Sequence, residues 1–360
     1  METAFIMPLA EIEPNPVIAA LPKADLHIHQ EWSQRLDRVL ARREGRTSYN
    51  WWHLAERLMA ETPPGMQRLR YLASIFPVAR DVDAEPENFI ARIEDLLDEA
   101  AADGAILVEV RFGNEAVLRP DFMALFREAE RRVQTRYPQI CAEAIFTFLL
   151  GRFDRDRLEL LLQACIQAAD EGLGGIDFLY EPYDTEADWT TAYHIAERAA
   201  AVGLGITAHA GEFSTANIAA ALRVPGLTRI GHATQAVRDP QLLELLATSG
   251  VTVECSLSCN VVLGAVASYT EHPIRQLVES GIAIALCTDD PVQICTTIGR
   301  EYTVAHALGF SVAELLGITR NAIKVAFTSR ERRNELLTEL SQWGNADSAW
   351  TQTQSSTLSS

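Results

Sequence analysis

Near the N-terminus the chain reads Ala24-Asp25-Leu26-His27-Ile28-His29-Gln30. This short apolar run predicts a strand, and because side chains alternate between the two faces of a strand, His27 and His29 would point the same way. Two imidazoles directed together from the end of a strand are half of a metal site. Alone the pair is weak evidence, because paired histidines also occur by chance on loops.

Three further polar stretches stand at the ends of short apolar runs. They are His209-Ala210-Gly211-Glu212, Gly231-His232-Ala233 and Thr288-Asp289-Asp290-Pro291. In a barrel of parallel strands the carboxyl ends of all strands meet at one face, and the active sites of such barrels lie there. The four stretches together therefore predict one site at that face of a barrel.

Strand and helix patterns alternate along most of the chain. Strands are predicted over 24–29, 105–112, 140–150, 175–180, 205–210, 229–233, 252–257 and 282–287, with helical patterns between them. Eight such units favour closure into a (β/α)8 TIM barrel over an open doubly wound sheet. We therefore predict a single α/β barrel over residues 1–344, with extra helices at its C-terminal end.

Two segments depart from this rhythm. Residues 31–83 hold Trp32, Trp51-Trp52-His53 and Pro63-Pro64, and they are too many for an ordinary strand-to-helix loop. We predict a helical insertion that forms a lid over the barrel mouth; an insertion that only pads the fold is the alternative. Residues 345–360 are rich in Ser, Thr and Gln, which predicts a disordered tail.

Composition limits the partners. Of 360 residues, 31 are Lys or Arg and 49 are Asp or Glu, a net charge of −18. An acidic surface repels phosphate backbones and anionic lipid, so we expect no nucleic acid and no membrane partner. The six cysteines contain no CxxC pair, which argues against disulfides and thiolate zinc sites. No leader or long apolar span is evident, so a cytoplasmic protein, with homo-oligomers possible, is the expectation.

Three imidazoles and one carboxylate form the predicted metal site. His27, His29, His209 and Asp289 are a ligand set that suits one zinc ion or another divalent transition metal. They come from the first, fifth and eighth strands, which approach one another only if the barrel closes. The predicted ligands and the predicted fold therefore support each other.

Three more residues are candidates for proton transfer. Glu212 lies three residues after His209, so it can stand beside the metal and pass protons, or stabilise a helix N-terminus, or do both. His232 ends the sixth strand and can hydrogen-bond a water at the metal. Asp290 can serve the site with Asp289 only if the chain turns there, and Pro291 favours such a turn.

Taken together, these motifs resemble the adenosine deaminase family of metal-dependent amidohydrolases. The resemblance covers about residues 21–329 and includes Cys255-x-x-Ser258 with Asn260, and also Glu109, Arg111 and Asn321. It implies a (β/α)8 barrel with one zinc. Carried over residue by residue, the four residues of the metal set would hold the ion, Glu212 would protonate a ring nitrogen, and His232 and Asp290 would orient and deprotonate the attacking water. The implied reaction replaces an amino group on a ring carbon and releases ammonia.

Substrate contacts depart from the family pattern. After the paired histidines, the family has Leu, an acid and Gly, whereas this chain has Gln30-Glu31-Trp32. On the fourth strand Tyr180 stands near a position where the family has Gly. Glu31, Trp32 and Tyr180 are therefore the predicted substrate-binding residues. The resemblance supports an aminopurine nucleoside, aminopurine base or related aminoheterocycle, with adenosine not the preferred substrate.

Other functions remain as alternatives. A binuclear lactonase or phosphotriesterase would use a carboxylated lysine on strand four, and the only lysines, Lys23 and Lys324, lie elsewhere. Base deaminases that act on nucleic acids use a Pro-Cys-x-x-Cys ligand pair, which is absent. Another mononuclear amidohydrolase, or a non-catalytic binding relative that keeps the metal site, stays open.

Overall fold

A computed structural model describes residues 15–30, 58–75, 85–113, 115–183 and 185–357. Its centre is a sheet of eight strands, each short and largely buried. In chain order these are β1 Lys23–His29, β2 Ala105–Phe112, β3 Cys141–Leu150, β4 Gly175–Tyr180, β5 Gly205–Ala210, β6 Arg229–His232, β7 Thr252–Cys255 and β8 Ile284–Leu286.

The strands are parallel and follow one another around the sheet in sequence order. The ring closes beside β1, where Ile28 bridges to Asp289. The amide of His29 donates to the Asp289 carbonyl, and the Asp289 amide donates to the His27 carbonyl, at 2.9 and 2.7 Å. The predicted (β/α)8 barrel is confirmed, and the closing hydrogen bonds involve three of the predicted metal-site residues.

Helices cover the outside of the sheet. The described helices are Pro16–Ala20, Met66–Ile75, Pro86–Ala102, Phe122–Gln134, Arg155–Asp170, Thr190–Ala201, Ile218–Ala221, Pro240–Ser249, Leu257–Leu263, Ile274–Glu279, Pro291–Ile294, Ile298–Ala307, Val312–Val325 and Arg330–Thr357. Within the described ranges, none is long and apolar enough to cross a membrane.

The boundaries of several elements differ from the sequence-based prediction, and in two places the type of structure differs as well. The predicted seventh strand ran to residue 257, but β7 ends at Cys255 and a helix begins at Leu257. Every residue of this seven-residue helix is buried, including the polar Ser258 and Asn260, so its sequence has no periodic polar face that would distinguish a helix from a strand. The last helix runs to Thr357, through most of the stretch where composition predicted disorder. A helix forms its hydrogen bonds locally, so polar composition alone does not exclude one.

The predicted lid lies mostly outside the described residues. Its described part, 58–75, includes the helix Met66–Ile75 and packs on the helix Leu257–Leu263. Arg68 fixes this contact, since its guanidinium donates to the Val262 carbonyl at 2.7 Å and to the Met59 carbonyl at 3.1 Å. This part of the insertion therefore lies next to the end of β7.

An aromatic ring packs on the opposite end of the barrel. Phe327 lies against Gly175 and Gly205, the first residues of β4 and β5, where an added Cβ would fall 2.3 and 2.1 Å from ring atoms. The Arg229 guanidinium stacks on the Phe327 ring, 3.7 Å from its centroid. Glycine is required at both strand starts because the ring occupies the space of a side chain.

We expect Gly205→Ala to destabilise the protein by about 1–3 kcal/mol, because the new methyl group overpacks the Phe327 site. Gly317→Ala is the matched control: Gly317 lies in the helix Val312–Val325 with open space around it, so this change should be neutral or stabilising. Urea unfolding of both variants measures the difference. Equal stability of the two would contradict the proposed role of Phe327.

Candidate active site

Three imidazoles meet at the carboxyl-terminal face of the barrel. The Nε2 atoms of His27 and His29 lie 3.2 Å apart, and the Nε2 of His209 lies 2.9 Å from the first and 3.0 Å from the second. Three nitrogens bound at about 2.0–2.1 Å to one tetrahedral ion would be spaced about 3.3 Å apart. The observed spacing is close to that of a metal site.

Asp289 completes the cluster. Its Oδ1 lies 3.5 Å from the Nε2 of both His27 and His29. Asp289 has a φ of 66°, in the left-handed region, and Pro291 then begins a short helix. The predicted turn therefore occurs at Asp289 itself, which is a strained conformation for a residue with a Cβ.

Buried carboxylates hold two of the imidazoles from behind. The Nδ1 of His27 donates to Glu254 Oε2 at 2.7 Å, and the Nδ1 of His209 donates to Asp177, whose two oxygens lie 3.0 and 3.1 Å away. With the protons on Nδ1, the Nε2 atoms of both rings present lone pairs to each other at 2.9 Å. Two facing lone pairs repel unless a cation lies between them, so this donor set suits a metal ion.

Two of the imidazoles, those of His27 and His29, are held in the neutral form that binds metals. Burial lowers the pKa of His27 well below its usual range, and the positive charge of Arg111 lowers it further. Burial also lowers the pKa of His29, with His209 adding to the effect. For Asp177, burial opposes ionisation, but His209 and Arg111 outweigh it and hold the pKa below its usual range.

An ionic network fills the barrel interior beneath the imidazoles. Arg111 pairs with Glu254 at 2.6 Å and with Asp177 at 3.3 Å. Arg229 pairs with Glu254 at 2.8 Å and with Glu109 at 2.5 Å, and all five side chains are fully buried. Sequence reasoning noted Glu109 and Arg111 but missed Asp177, Arg229 and Glu254. Each of these three residues is a charged residue within a largely apolar strand, and this pattern could have indicated a buried ion pair.

A second group of polar side chains lies on the other side of the cluster. His232 Nε2 is 3.7 Å from Asp289 Oδ2 and 3.8 Å from Glu212 Oε2. Asn260 donates through Nδ2 to Glu212 Oε1 at 3.1 Å and to His232 Nδ1 at 3.2 Å. The structure therefore brings Glu212 and His232 beside the metal-type cluster, as predicted, and adds Asn260 as their common partner.

His29 and His232 are both placed to act as the third imidazole. Ligand-type atoms of His27, His209, His232 and Asp289 all lie within 4.8 Å of one another. The ring centroids of His27 and His29 are 5.1 Å apart, however, against 5.3 Å for His27 and His232. Because Asn260 donates to its Nδ1, neutral His232 carries its proton on Nε2 and has no lone pair there. On this geometry His29 is the better candidate for the third imidazole.

Asp290 is buried next to this group. Burial raises the pKa of the Cys259 thiol, and the charges of Asp289, Asp290 and Glu212 raise it further. Ligand-type atoms of Glu212, Cys259 and Asp289 lie within 4.8 Å of one another, so Cys259 is part of this polar group. Asp290 is itself buried, and its charge acts on the same thiol as those of Asp289 and Glu212.

Tyr180 does not lie where the sequence predicted. Its ring packs on Trp189, with centroids 4.8 Å apart, and its hydroxyl donates to the Asp188 carbonyl. Along β4 the side chain of Asp177 points into the barrel and pairs with Arg111, so Tyr180, three residues later, points outward into the helix layer. This placement contradicts the predicted contact between Tyr180 and substrate. Glu31 and Trp32 lie outside the described residues.

Tyr183 and Phe213 were missed. The Tyr183 ring lies 6.2 Å from the His209 ring and 6.0 Å from the Phe213 ring. Burial raises the pKa of the Tyr183 hydroxyl, and the charges of Glu212 and Asp289 add to that effect. Both aromatics follow strand ends, β4 and β5, which is the signal that could have identified them.

Fold and site together define a (β/α)8-barrel protein whose buried histidine and aspartate cluster could bind a metal ion. A family model described as adenosine deaminase matches residues 22–343. The match covers most of the chain, so this protein belongs to the adenosine deaminase family.

Curated relatives match over shorter segments. The chain is 41% identical over 156 residues to an adenine deaminase of Rhizobium leguminosarum, covering 43% of this chain and 48% of the relative. It is 43% identical over 136 residues to an adenosine deaminase of Shewanella loihica, covering 37% of this chain and 41% of the relative. The chain therefore spans about half the length of the curated relatives it matches.

Solved structures match over nearly the whole barrel. An adenine deaminase from Arthrobacter aurescens has a TM-score of 0.74 at 23% identity, covering 91% of this chain and 100% of its own. An N6-methyl-AMP deaminase from Arabidopsis thaliana has a TM-score of 0.73 at 22% identity, covering 91% and 98%. A zinc-containing amidohydrolase from Burkholderia ambifaria has a TM-score of 0.75 at 21% identity, covering 95% and 97%. These likenesses support the fold.

Removing the carboxylate behind His209 should weaken metal binding. We expect Asp177→Asn to lower metal affinity about 10–100-fold, because Asp177 fixes the tautomer and direction of a ligand-type imidazole. His209→Ala should lose the metal almost entirely. Elemental analysis after dialysis against a weak chelator measures both, and His194→Ala, on an exposed helix face, is the matched control. Undiminished metal in His209→Ala, or two tightly held metals per parent chain, would refute the ligand assignment.

Proposed function

We propose that this protein catalyses the zinc-dependent hydrolytic deamination of an aminopurine base, aminopurine nucleoside or related aminoheterocycle, with release of ammonia. One observation carries the proposal: three imidazole Nε2 atoms within 3.2 Å of each other stand beside Glu212, His232 and two aspartates. Membership of the adenosine deaminase family and the zinc in a related barrel support it.

His27, His29, His209 and Asp289 would hold the ion. Three neutral imidazoles and a carboxylate are ligands of borderline softness, which favours zinc. When bound, the ion would act as a Lewis acid that lowers the pKa of water to about 7. The protein's part is then to place the substrate, hold the water and move protons.

Glu212 is the proton donor to the ring. An aromatic amidine accepts a nucleophile at carbon only if electron density can move onto the adjacent ring nitrogen, so that nitrogen needs a proton. Glu212 Oε1 accepts a hydrogen bond from Asn260, and we place the acidic proton on Oε2, the oxygen on the side of His232. The carboxyl group is buried, so water does not compete for it.

His232 and Asp290 act on the attacking water. His232 Nε2 faces Asp289 and Glu212, so it can orient a water placed between the metal ligands and the substrate. The oxygen of this water forms the new bond to the ring carbon, and its proton passes to a carboxylate, for which buried Asp290 is the proposed acceptor. The carbon–nitrogen bond then breaks, and the amino group leaves as ammonia after taking up a proton.

Two aromatic rings beside the cluster support a planar substrate. Tyr183 and Phe213 stand next to His209 and to Glu212, where a flat ring could lie against them. The names of the related proteins include adenine, adenosine and N6-methyl-AMP deaminases, so 6-aminopurines are the first substrates to test. Adenine, adenosine and AMP carry the same purine ring but differ in the group attached to it. The space next to the bound purine would therefore decide which of them is the substrate.

An ammonia-release screen tests the function. Aminopurines, their nucleosides and nucleotides, pterins and other aminoheterocycles are each incubated with zinc-loaded protein, and ammonia is measured. Release from at least one 6-aminopurine supports the proposal. Full zinc occupancy with no ammonia from any compound would favour a non-catalytic binding protein instead.

We expect Glu212→Gln to keep the metal and the fold but to lower kcat about 10²–10⁴-fold, because an amide cannot donate the required proton. Zinc content and thermal unfolding serve as controls. Near-parent kcat in this variant would show that another group protonates the ring.

Specificity should depend on Trp32. In the family pattern this position is a glycine, and the resemblance implies that the acid before it, Glu31 in this chain, would bind a sugar hydroxyl. An indole in place of the glycine would take up volume next to that acid. We therefore expect kcat/KM for free adenine to exceed that for adenosine, and Trp32→Gly to shift the ratio towards adenosine. Tyr180→Phe, in the outer layer, should leave the ratio unchanged. A parent that prefers adenosine by a wide margin would contradict this reading.

A further inference from the structure

Asn260 is a buried junction between the residues that transfer protons. It has no exposed surface, and its amide makes four hydrogen bonds. Its Nδ2 donates to Glu212 Oε1 and to His232 Nδ1, while its Oδ1 accepts from Thr234 Oγ1 at 3.1 Å and from His272 Nε2 at 3.2 Å. Every donor and acceptor position of this amide is therefore used.

The direction of these bonds is set by the backbone. The amide of Ile274 donates to His272 Nδ1 at 3.2 Å, so that nitrogen must hold a lone pair. Burial lowers the pKa of His272 to about 3, so the ring is neutral and carries its one proton on Nε2. His272 Nε2 then donates to Asn260, which places the amide oxygen on the His272 side. The NH2 group has to face His232 and Glu212.

The geometry points to a relay, from the Ile274 amide through His272 and Asn260, that fixes His232 as the tautomer protonated on Nε2. Asn260 is thus a positioning residue, and this role rests on the proposed deaminase function. In this tautomer His232 can donate a hydrogen bond to the attacking water but cannot accept its proton. Proton acceptance therefore falls to a carboxylate, and of the predicted pair His232 and Asp290, only Asp290 can act as the base.

The same amide also makes the two carboxyl oxygens of Glu212 different from each other. Because Asn260 donates to Oε1, we place the acidic proton on the other carboxyl oxygen, Oε2. Oε2 is also the oxygen nearer His232 Nε2, at 3.8 Å. One side chain thus orients both the proton donor to the ring and the hydrogen-bond donor to the water.

Nitrogen NMR tests the relay directly. Zinc-loaded protein labelled with ¹⁵N-histidine gives long-range ¹H–¹⁵N correlations in which protonated and unprotonated ring nitrogens have distinct shifts, and His232→Gln identifies the His232 signals. We expect a protonated Nε2 and an unprotonated Nδ1. A proton on Nδ1 in the parent protein would overturn the inference, whatever the variants show.

Matched variants then assign the cause. Asn260→Asp replaces the NH2 donor with an acceptor, so the His232 proton should move to Nδ1 and kcat should fall about 10²-fold with zinc retained. Thr234→Val removes one bond to Oδ1 but leaves His272 in place, so the tautomer should not change. An unchanged tautomer in Asn260→Asp would refute the role of Asn260. The NMR result stands without turnover, so failure of the proposed reaction is seen separately, in the ammonia screen.

Discussion

The mutual approach of three imidazole nitrogens is the constraint on which the site depends. His27, His29 and His209 present Nε2 atoms 2.9–3.2 Å apart in a space from which water is largely excluded. Without a cation such an arrangement is repulsive, so the surrounding protein must hold the rings in place. Buried carboxylates do this from behind, since Glu254 and Asp177 each bind the Nδ1 atom of one ring.

Those carboxylates need partners of their own, because an unpaired buried charge costs several kcal/mol. Arg111 and Arg229 supply them, and together with Glu109 they form an ionic layer inside the barrel beneath the imidazoles. Arg229 also stacks on Phe327, the ring that packs at the opposite end of the barrel from the imidazoles. Along the barrel axis the interior therefore contains an aromatic ring at one end, buried ion pairs in the middle and the imidazole cluster at the other end.

Backbone strain is concentrated at the same face. His232, Ala233 and Asp289 have φ values of 65°, 47° and 66°, which cost energy for residues that carry a Cβ. The strain has a geometric consequence. Side chains of neighbouring residues in an ordinary strand point to opposite faces, so Asp289 and Asp290 can both serve one site only where the chain leaves the extended conformation.

The sequence alone was enough to predict the barrel and the face on which the imidazole cluster lies. Strand and helix periodicity predicted the barrel, because burial imposes those periods on every element, and His27 and His29 identified the reactive face because strand geometry places i and i+2 together. Tertiary structure decided the rest. The side chain of Tyr180 lies away from the imidazole cluster because its position on β4 points outward. Tyr183, beyond the end of that strand, lies near His209. Asp177, Glu254 and Asn260 act across strands, and contacts between residues far apart in the chain follow from barrel closure and not from local pattern.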